Sequence, residues 1–155
     1  LAGDPEYSRK AESLSRITVD ITEFLAALPL EKPAGVVNRR VTYQDPCHLA
    51  HAQGITSQPR TILASISGVE LVEMEQPSMC CGGAGYYSLV QQEMAEKVLK
   101  TKIGNISATG AGQVVTANPG CMIQIDQGLK THGIPGGVCH VVDILDEAYQ
   151  AGEKS

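Results

Sequence analysis

Hydrophobic residues recur every two to four positions through the first part of the chain, with polar residues filling the gaps. Leu14, Ile17 and Phe24 belong to this series. Because one face of an α-helix returns every three or four residues, the spacing predicts one or two helices between about residues 6 and 29. Pro29 and the sequence Pro33-Ala34-Gly35 end the helical pattern, since proline and glycine interrupt helices.

After residue 35 the pattern changes to short β-branched runs that alternate with amphipathic stretches. The β-branched runs predict strands, and apolar residues three or four apart predict helices. The predicted strands are 36–43, 69–74, 114–117 and 138–142, and the predicted helices are 61–66, 87–106, a segment that includes 122–129, and 144–151. Strands that alternate with helices indicate an α/β fold, here an open, mostly parallel sheet of about four strands flanked by helices.

The length of 155 residues fits one domain of ordinary size. Within it the pattern distinguishes an N-terminal helical segment (1–35), an α/β domain (36–150) and a short tail (151–155). The chain begins with Leu1 instead of methionine, and we expect it to be one piece of a longer protein.

Composition and charge disfavour two classes of partner. The 12 basic and 17 acidic residues give a net charge of -5, whereas a protein that binds the nucleic-acid backbone needs a positive surface. Aromatic residues make up 4% of the chain, which leaves few platforms for stacking bases. No stretch reaches the roughly 18 apolar residues of a membrane-spanning helix. We therefore expect neither a nucleic-acid partner nor a membrane span.

Four of the five cysteines follow the ends of predicted strands. Cys47 comes after the first strand, Cys80 and Cys81 after the second, and Cys121 after the third. Because the carboxyl ends of parallel strands share one edge of a sheet, we expect the four thiols to meet there. Each stretch also contains glycine or proline and is expected to lie at or just before a helix start. Helix N–H groups lower thiol pKa values and bind sulfur, which suits thiolates that hold a metal cluster.

Other interpretations of these residues stay open. Cys80 and Cys81 could instead form a buried apolar pair or a strained disulfide. His48 and His51 lie near the first cysteine and could complete a zinc site with the adjacent cysteines. Cys139 lies inside the fourth predicted strand, so we interpret it as a buried strand residue.

The cysteine spacing resembles the cysteine-rich domain family, whose signature is a Cys-Cys-Gly sequence between a single cysteine and a final Cys-x-x-Cys. Here 32 residues separate Cys47 from Cys80, and 39 separate Cys81 from Cys121. The sequences that match the family in kind, within residues 41–148, are Asp45-Pro46-Cys47-His48, Cys80-Cys81-Gly82 and Asn118-Pro119-Gly120-Cys121.

Within that family, segments 43–49, 115–121 and 140–146 are most similar to the C-terminal part of glycolate oxidase iron–sulfur subunits. The resemblance implies an iron–sulfur cluster, of the [4Fe-4S] type, bound by Cys47, Cys80, Cys81 and Cys121. It also implies electron transfer from a flavin-containing 2-hydroxy-acid dehydrogenase subunit toward a membrane acceptor. The chain would then be a fragment of a non-catalytic oxidoreductase subunit that contacts other domains of its own longer chain. Its expected location is the cytoplasm, peripherally at the inner face of the cytoplasmic membrane.

Two features depart from the family pattern. Gln124 replaces the last cysteine of the final Cys-x-x-Cys, so the five-cysteine site of the full signature cannot form identically. Four thiols remain, which is enough for an ordinary [4Fe-4S] cluster or for zinc. The ferredoxin-like Cys-x-x-Cys-x-x-Cys motifs and the second cysteine-rich copy of full-length subunits do not occur in this sequence.

Two other functions are compatible with the sequence. One is a zinc-bound or metal-free module that docks a flavoprotein subunit without transferring electrons. The other is dithiol redox chemistry at Cys80 and Cys81. With any of these functions, an oxygen-exposed preparation can lack metal.

Overall fold

The computed structural model describes residues 1–29 and 31–153 and confirms the α/β class. Its helices are α1 (Ser8–Ile17), α2 (Ile21–Ala27), α3 (Ser57–Ser65), α4 (Tyr86–Val90), α5 (Gln92–Ala108), α6 (Pro119–Thr131) and α7 (Val141–Glu153), and a π-helical turn spans His48–Gln53. The strands are β1 (Val36–Gln44), β2 (Ser67–Leu71), β3 (Gln113–Thr116) and β4 (Gly137–His140).

All strand pairs in the sheet are parallel, and the strand order is β2-β1-β3-β4. The chain leaves β1 toward β2 and then returns across β1 to β3, so the direction of winding reverses between β1 and β3. Gln44 and Thr116, the last residues of these two strands, are register partners. The connections that follow β1 and β3 therefore leave the sheet side by side, at the position where open α/β sheets bind ligands.

Helices cover both faces of the sheet. On one face, α3 and α7 pack on β1 through a buried cluster that includes Val41, Leu63 and Ile144. On the other face, α5 and α6 pack on β3 through a second cluster that includes Leu99 and Ile125. The second half of β1 and most of β3 are buried between these two layers, whereas the outer strands β2 and β4 carry half-buried and exposed residues.

The β4–α7 boundary differs from the prediction. The predicted strand 138–142 ends at His140, and α7 begins at Val141 instead of residue 144. The Asp143 carboxylate accepts a hydrogen bond from the His140 N–H, which favours a helix start at this point. Val141, Ile144 and Ala148 then form one buried helical face. The helix continues into the predicted tail as far as Glu153, and residues 154–155 lie outside the described chain.

The predicted helix 87–106 is divided into α4 and α5. The break falls at Gln91, whose φ of -123° and ψ of 52° are not helical. Val90 and Met94, which lie on either side of this break, are about half exposed. The buried face of α5 instead carries Ala95, Leu99, Lys102, Ile103 and Ile106.

Gly35 allows the start of β1 to lie directly against α7. A Cβ atom at this position would overlap the Ala148 carbonyl oxygen and lie 2.6 Å from the Gly152 nitrogen. We expect Gly35→Ala to lower the free energy of unfolding by about 1–3 kcal/mol, because backbone atoms would have to move apart. Urea denaturation followed by circular dichroism measures this loss.

Gly104→Ala is the matched control for this substitution. Gly104 lies in α5, and among the described residues no atom beyond its own stretch of helix is within 4 Å of the added Cβ. Alanine favours helix over glycine, so this variant should gain about 0.5–1 kcal/mol. Equal stability of the two variants would contradict the close packing of β1 against α7.

Candidate metal centre

Four cysteines line one pocket at the carboxyl edge of the sheet, as the strand pattern predicts. The pocket has a volume of about 370 Å³, and Cys47, Cys80, Cys81 and Cys121 form part of its wall. Its remaining lining includes Asn118, Gln124 and the Gly83-Ala84-Gly85 sequence. Three connections of the fold thus supply thiols to one place.

The start of α6 positions Cys121. Asn118 caps this helix, with its side-chain oxygen accepting a hydrogen bond of 3.0 Å from the Cys121 N–H, and Pro119 occupies the first turn. The Asn118 side-chain nitrogen lies 2.9 Å from His48 Nε2. One amide therefore fixes the helix start and also joins it to the turn that follows Cys47.

Cys80 and Cys81 lie before a helix, as predicted, but residues 82–85 separate them from its start. The next helix, α4, begins at Tyr86. Local backbone groups take the role expected of helix N–H groups: the Gly82 N–H donates to Cys80 Sγ at 3.4 Å. Gly82 has φ of +86°, and a Cβ there would lie 2.5 Å from the Ala95 carbonyl oxygen. Only glycine fits this conformation so close to α5.

The thiols contact one another in two pairs. A hydrogen bond from Cys121 has the largest effect on the pKa of Cys81 and lowers it. Burial opposes this effect and the Gly83 N–H adds to it, so that the pKa of Cys81 is about 6. The same contact raises the pKa of Cys121. Cys80 contacts Cys47, and burial is the main cause that raises the pKa of Cys80. The adjacent cysteines therefore each face a thiol from another connection, and all five cysteines of the chain are free thiols.

β2 ends before the edge of the sheet, and a long connection carries the chain to Cys80. Leu71, the last residue of β2, pairs with Val41 in the middle of β1. Residues 72–79 then run beside the end of β1, where the Asp45 N–H donates to the Pro77 carbonyl at 3.1 Å. The Gln44 side-chain nitrogen donates to the Met79 carbonyl at 3.1 Å. These bonds place the second cysteine stretch level with the first.

Arg60, on α3, joins this connection to the segment before Cys47. Its guanidinium donates to Asp45 Oδ1 at 2.8 Å and to Glu73 Oε1 at 2.6 Å. Asp45 is 3% exposed, so its charge depends on this partner. The role of Arg60 was not predicted, because nothing in its local sequence pattern distinguishes it from a solvated helix residue.

Lys102 is a second functional candidate that sequence reasoning missed. Its Nζ donates to the carbonyls of Gln76 and Pro77, within the 72–79 connection. A signal for it exists in the sequence, because Lys102 lies three residues after Leu99 and four before Ile106, on the apolar face of α5.

The two histidines near Cys47 make contacts with protein groups. His48 lines the pocket and contacts Asn118, whereas His51 Nε2 lies 3.0 Å from the Ser78 carbonyl oxygen. Both rings are thus engaged by the connections that carry the cysteines.

Cys139, the fifth cysteine of the chain, and Gln124, which replaces the last cysteine of the family signature, lie in different places. Cys139 pairs with Val115 inside the sheet and packs against the core on the α3 face. Burial raises the pKa of Cys139 to about 11. It is outside the pocket lining, whereas Gln124, in the place of the missing fifth cysteine, belongs to it.

The donor chemistry of the pocket fits an iron–sulfur cluster. Four thiols are distributed around a pocket of about 370 Å³, and the Gly82 N–H is directed at the sulfur of Cys80. Thiolates with such hydrogen bonds are the ligands that iron–sulfur clusters use. Within residues 1–29 and 31–153, no three His, Cys, Asp or Glu side chains converge closely enough to form a site for a single metal ion.

Fold and site together define a parallel α/β domain with a four-cysteine pocket at its carboxyl edge. A family model described as "Cysteine-rich domain" matches residues 41–126, more than half of the chain. The chain belongs to this cysteine-rich domain family, which confirms the resemblance inferred from the cysteine spacing.

Named relatives support this membership. The chain is 40% identical over its whole length to "Probable glycolate oxidase iron-sulfur subunit" of Bacillus subtilis, and covers 35% of that protein. It is 39% identical over 93% of its length to one of the subunits of the CoM/CoB fumarate reductase of Methanothermobacter marburgensis, covering 29% of that subunit. It is 31% identical over 94% of its length to "Lactate utilization protein A" of Shouchella clausii, covering 61% of it.

The chain therefore spans about a third of the first two relatives and about three fifths of the third. In the part of the chain that the structure describes, no helix combines the length and the apolar character that crossing a membrane requires.

Arg60→Met tests whether the connections around the site depend on this guanidinium. The substitution leaves the buried Asp45 carboxylate without its partner, so we expect a loss of about 3 kcal/mol in the free energy of unfolding. Chemical denaturation monitored by circular dichroism gives the value.

Arg40→Met serves as the control, since the Arg40 side chain forms a solvent-exposed ion pair with Glu70 at 3.7 Å. Such pairs contribute about 0–1 kcal/mol. If both variants lost the same stability, Arg60 would have no special role in holding the site together.

Proposed function

We propose that this chain is an iron–sulfur electron-transfer domain of an oxidoreductase complex. The observation that carries the proposal is the convergence of Cys47, Cys80, Cys81 and Cys121 on one pocket at the β1–β3 edge. The names of two relatives, an iron–sulfur subunit and a fumarate reductase subunit, support the same class of function. The four cysteines are the proposed ligands, and the proposed cofactor is a [4Fe-4S] cluster, which accepts and releases single electrons.

In this role each part of the site has a separate task. Cys121 and Cys47 come from connections that the Asn118 amide joins. Gly82 and Gly83 offer backbone N–H groups to the sulfur atoms of Cys80 and Cys81. Hydrogen bonds to sulfur and burial are the means by which a protein sets a cluster potential.

The surface around the pocket favours a protein partner. Ile123 lines the pocket and is 70% exposed, and Tyr86 and Leu89 on the neighbouring helix α4 are also largely exposed. Exposed apolar groups beside a site are typical of protein contact surfaces. We propose that the partner is the flavin-containing subunit of a 2-hydroxy-acid dehydrogenase of the glycolate oxidase type, with electrons passing on toward a membrane acceptor. The five free thiols are consistent with the reducing cytoplasm as the proposed location, peripherally at the inner face of the membrane.

Dithiol redox chemistry is the second candidate. The observation in its favour is the contact between Cys81 and Cys121, which lowers the pKa of Cys81 to about 6 and makes this thiol a good nucleophile. The Cys81 thiolate would attack a disulfide oxidant and release one of its two thiols, and Cys121 would then attack the resulting mixed disulfide; the Cys81–Cys121 disulfide forms, and the oxidant leaves as two thiols that carry the two electrons. This candidate involves Cys81 with Cys121, not with its neighbour Cys80.

Anaerobic reconstitution with iron and sulfide tests the proposed function. We expect about four iron and four sulfide per chain and an EPR signal after reduction, because four thiolates complete one [4Fe-4S] cluster. Iron and sulfide analysis and EPR spectroscopy are the measurements. A chain that takes up no iron under these conditions, and forms a disulfide under mild oxidant, would favour the dithiol function instead.

Two cysteine variants test the ligand set. Cys121→Ala should lower bound iron at least about twofold, since the cluster loses one of its four thiolates. Cys139→Ala should leave iron content unchanged, because Cys139 lies outside the pocket. The same iron assay reads both variants. Equal loss in both would show that the pocket does not define the ligands.

A further inference from the structure

Lys102 is a charged residue buried in the core of the domain. It is 0% exposed and lies on the face of α5 that also carries Leu99 and Ile103. A lysine is almost never fully buried unless its charge is compensated, because removing an ammonium group from water is costly. The position therefore requires a physical explanation.

All hydrogen bonds of the Lys102 ammonium go to one segment. Nζ donates to the Gln76 carbonyl at 2.7 Å and to the Pro77 carbonyl at 3.3 Å, and Met74 Sδ lies 3.8 Å away. Gln76 has a positive φ of 51°, so its backbone is held in a conformation that non-glycine residues rarely adopt. The hydrogen bonds of Lys102 thus hold in place the connection that leads to Cys80.

Asn105, one turn further along α5, is a neutral side chain that also forms a hydrogen bond to this connection. Its side-chain nitrogen donates to the Glu75 carbonyl at 2.9 Å. Both side chains hold the same connection through hydrogen bonds to its backbone carbonyls, but Lys102 is charged and Asn105 is neutral. They therefore allow the effect of the charge to be separated from the effect of the anchor.

The ammonium of Lys102 lies close to the cysteine pocket, because Met74, its neighbour at 3.8 Å, belongs to the same buried cluster as Cys81. No carboxylate within the described residues forms an ion pair with its ammonium, whose hydrogen bonds end on backbone carbonyls. Its electrostatic neighbours are Cys81, Asp45, Cys80 and Cys121, and Asp45 is already paired with Arg60. Burial lowers the pKa of Lys102 to about 8, so the group is mainly protonated at neutral pH.

We propose that Lys102 is a positioning residue of the cysteine site, which anchors the 74–77 segment and holds a buried positive charge beneath the four thiols. This charge makes the pocket selective for an anionic occupant. The inference rests on the proposed function in one respect, because a cluster bound by four thiolates carries net negative charge and is the occupant that the charge would favour.

Competition between two alkylating reagents measures the charge without any metal. Iodoacetate is negative and iodoacetamide is neutral, yet both react with the same thiolate, so the ratio of their rates reports the local potential and not the thiolate fraction. The readout is Cys80, which is partly exposed, followed by peptide mass spectrometry in the 155-residue chain. In Lys102→Gln the iodoacetate-to-iodoacetamide rate ratio should fall about fivefold, as expected for the loss of one nearby charge.

Three variants control this measurement. Asn105→Ala removes the neutral anchor and should leave the rate ratio unchanged, as should Lys100→Gln, which removes an exposed charge from the same helix. Lys102→Arg should restore most of the ratio. Circular dichroism verifies folding, and if Lys102→Gln does not fold, the comparison is made with Lys102→Met. The charge assignment would be overturned if the rate ratio were unchanged in Lys102→Gln and Lys102→Met, or if it fell equally in Asn105→Ala.

The reconstituted protein gives a second readout. Loss of the positive charge should shift the cluster reduction potential to a more negative value in Lys102→Gln but not in Asn105→Ala, because a nearby cation favours the reduced, more negative cluster. If the wild-type chain takes up no iron, the proposed function fails while the alkylation ratio still decides the role of Lys102. If iron binds and neither ratio nor potential changes, the Lys102 inference fails by itself.

Discussion

The cysteine site depends on the parallel pairing of β1 with β3. Gln44 and Thr116 end these strands as register partners, so the chain leaves both at the same level. Because the direction of winding reverses between the two strands, their connections diverge and leave a crevice between them. Cys47 and Cys121 enter this crevice from opposite sides. A shift of register by one residue would move both connections and separate the thiols.

The second cysteine stretch is positioned in a different way. β2 is too short to reach the edge, so residues 72–79 must be held there by side chains from elsewhere in the fold. Arg60 reaches them from one face of the sheet, and Lys102 and Asn105 reach them from the other. These contacts are polar. The Arg60–Asp45 contact and the hydrogen bonds of Lys102 are partly buried. Removing one partner there leaves the other partner's charge or polar group without compensation. Polar contacts thus complete a site whose general location is set by the hydrophobic core.

Sequence periodicity was sufficient to predict the order of strands and helices and the meeting of Cys47, Cys80, Cys81 and Cys121. It placed the boundary of β4 incorrectly, because the runs of β-branched residues continue into α7, and the helix start is marked by hydrogen bonds between His140 and the residues that follow it. The ligand role of the four cysteines stays a prediction that the arrangement of the pocket supports. The anchors of the site were harder to foresee: Arg60 pairs with Asp45 and Glu73, and only the folded chain shows that these groups meet. Lys102 differs, because a lysine on the apolar face of a helix is visible in the sequence itself and indicates a buried polar role.

The central claim is that the four thiols at the β1–β3 edge bind one iron–sulfur cluster. Mössbauer spectroscopy of the anaerobically reconstituted chain, prepared with iron-57, tests it most directly. We predict that the bound iron gives the signature of tetrahedral, sulfur-coordinated iron in a coupled cluster, and that this signature is lost in Cys121→Ala but kept in Cys139→Ala. Iron present only as uncoupled mononuclear ions, or an unchanged cluster signature in Cys121→Ala, would contradict it.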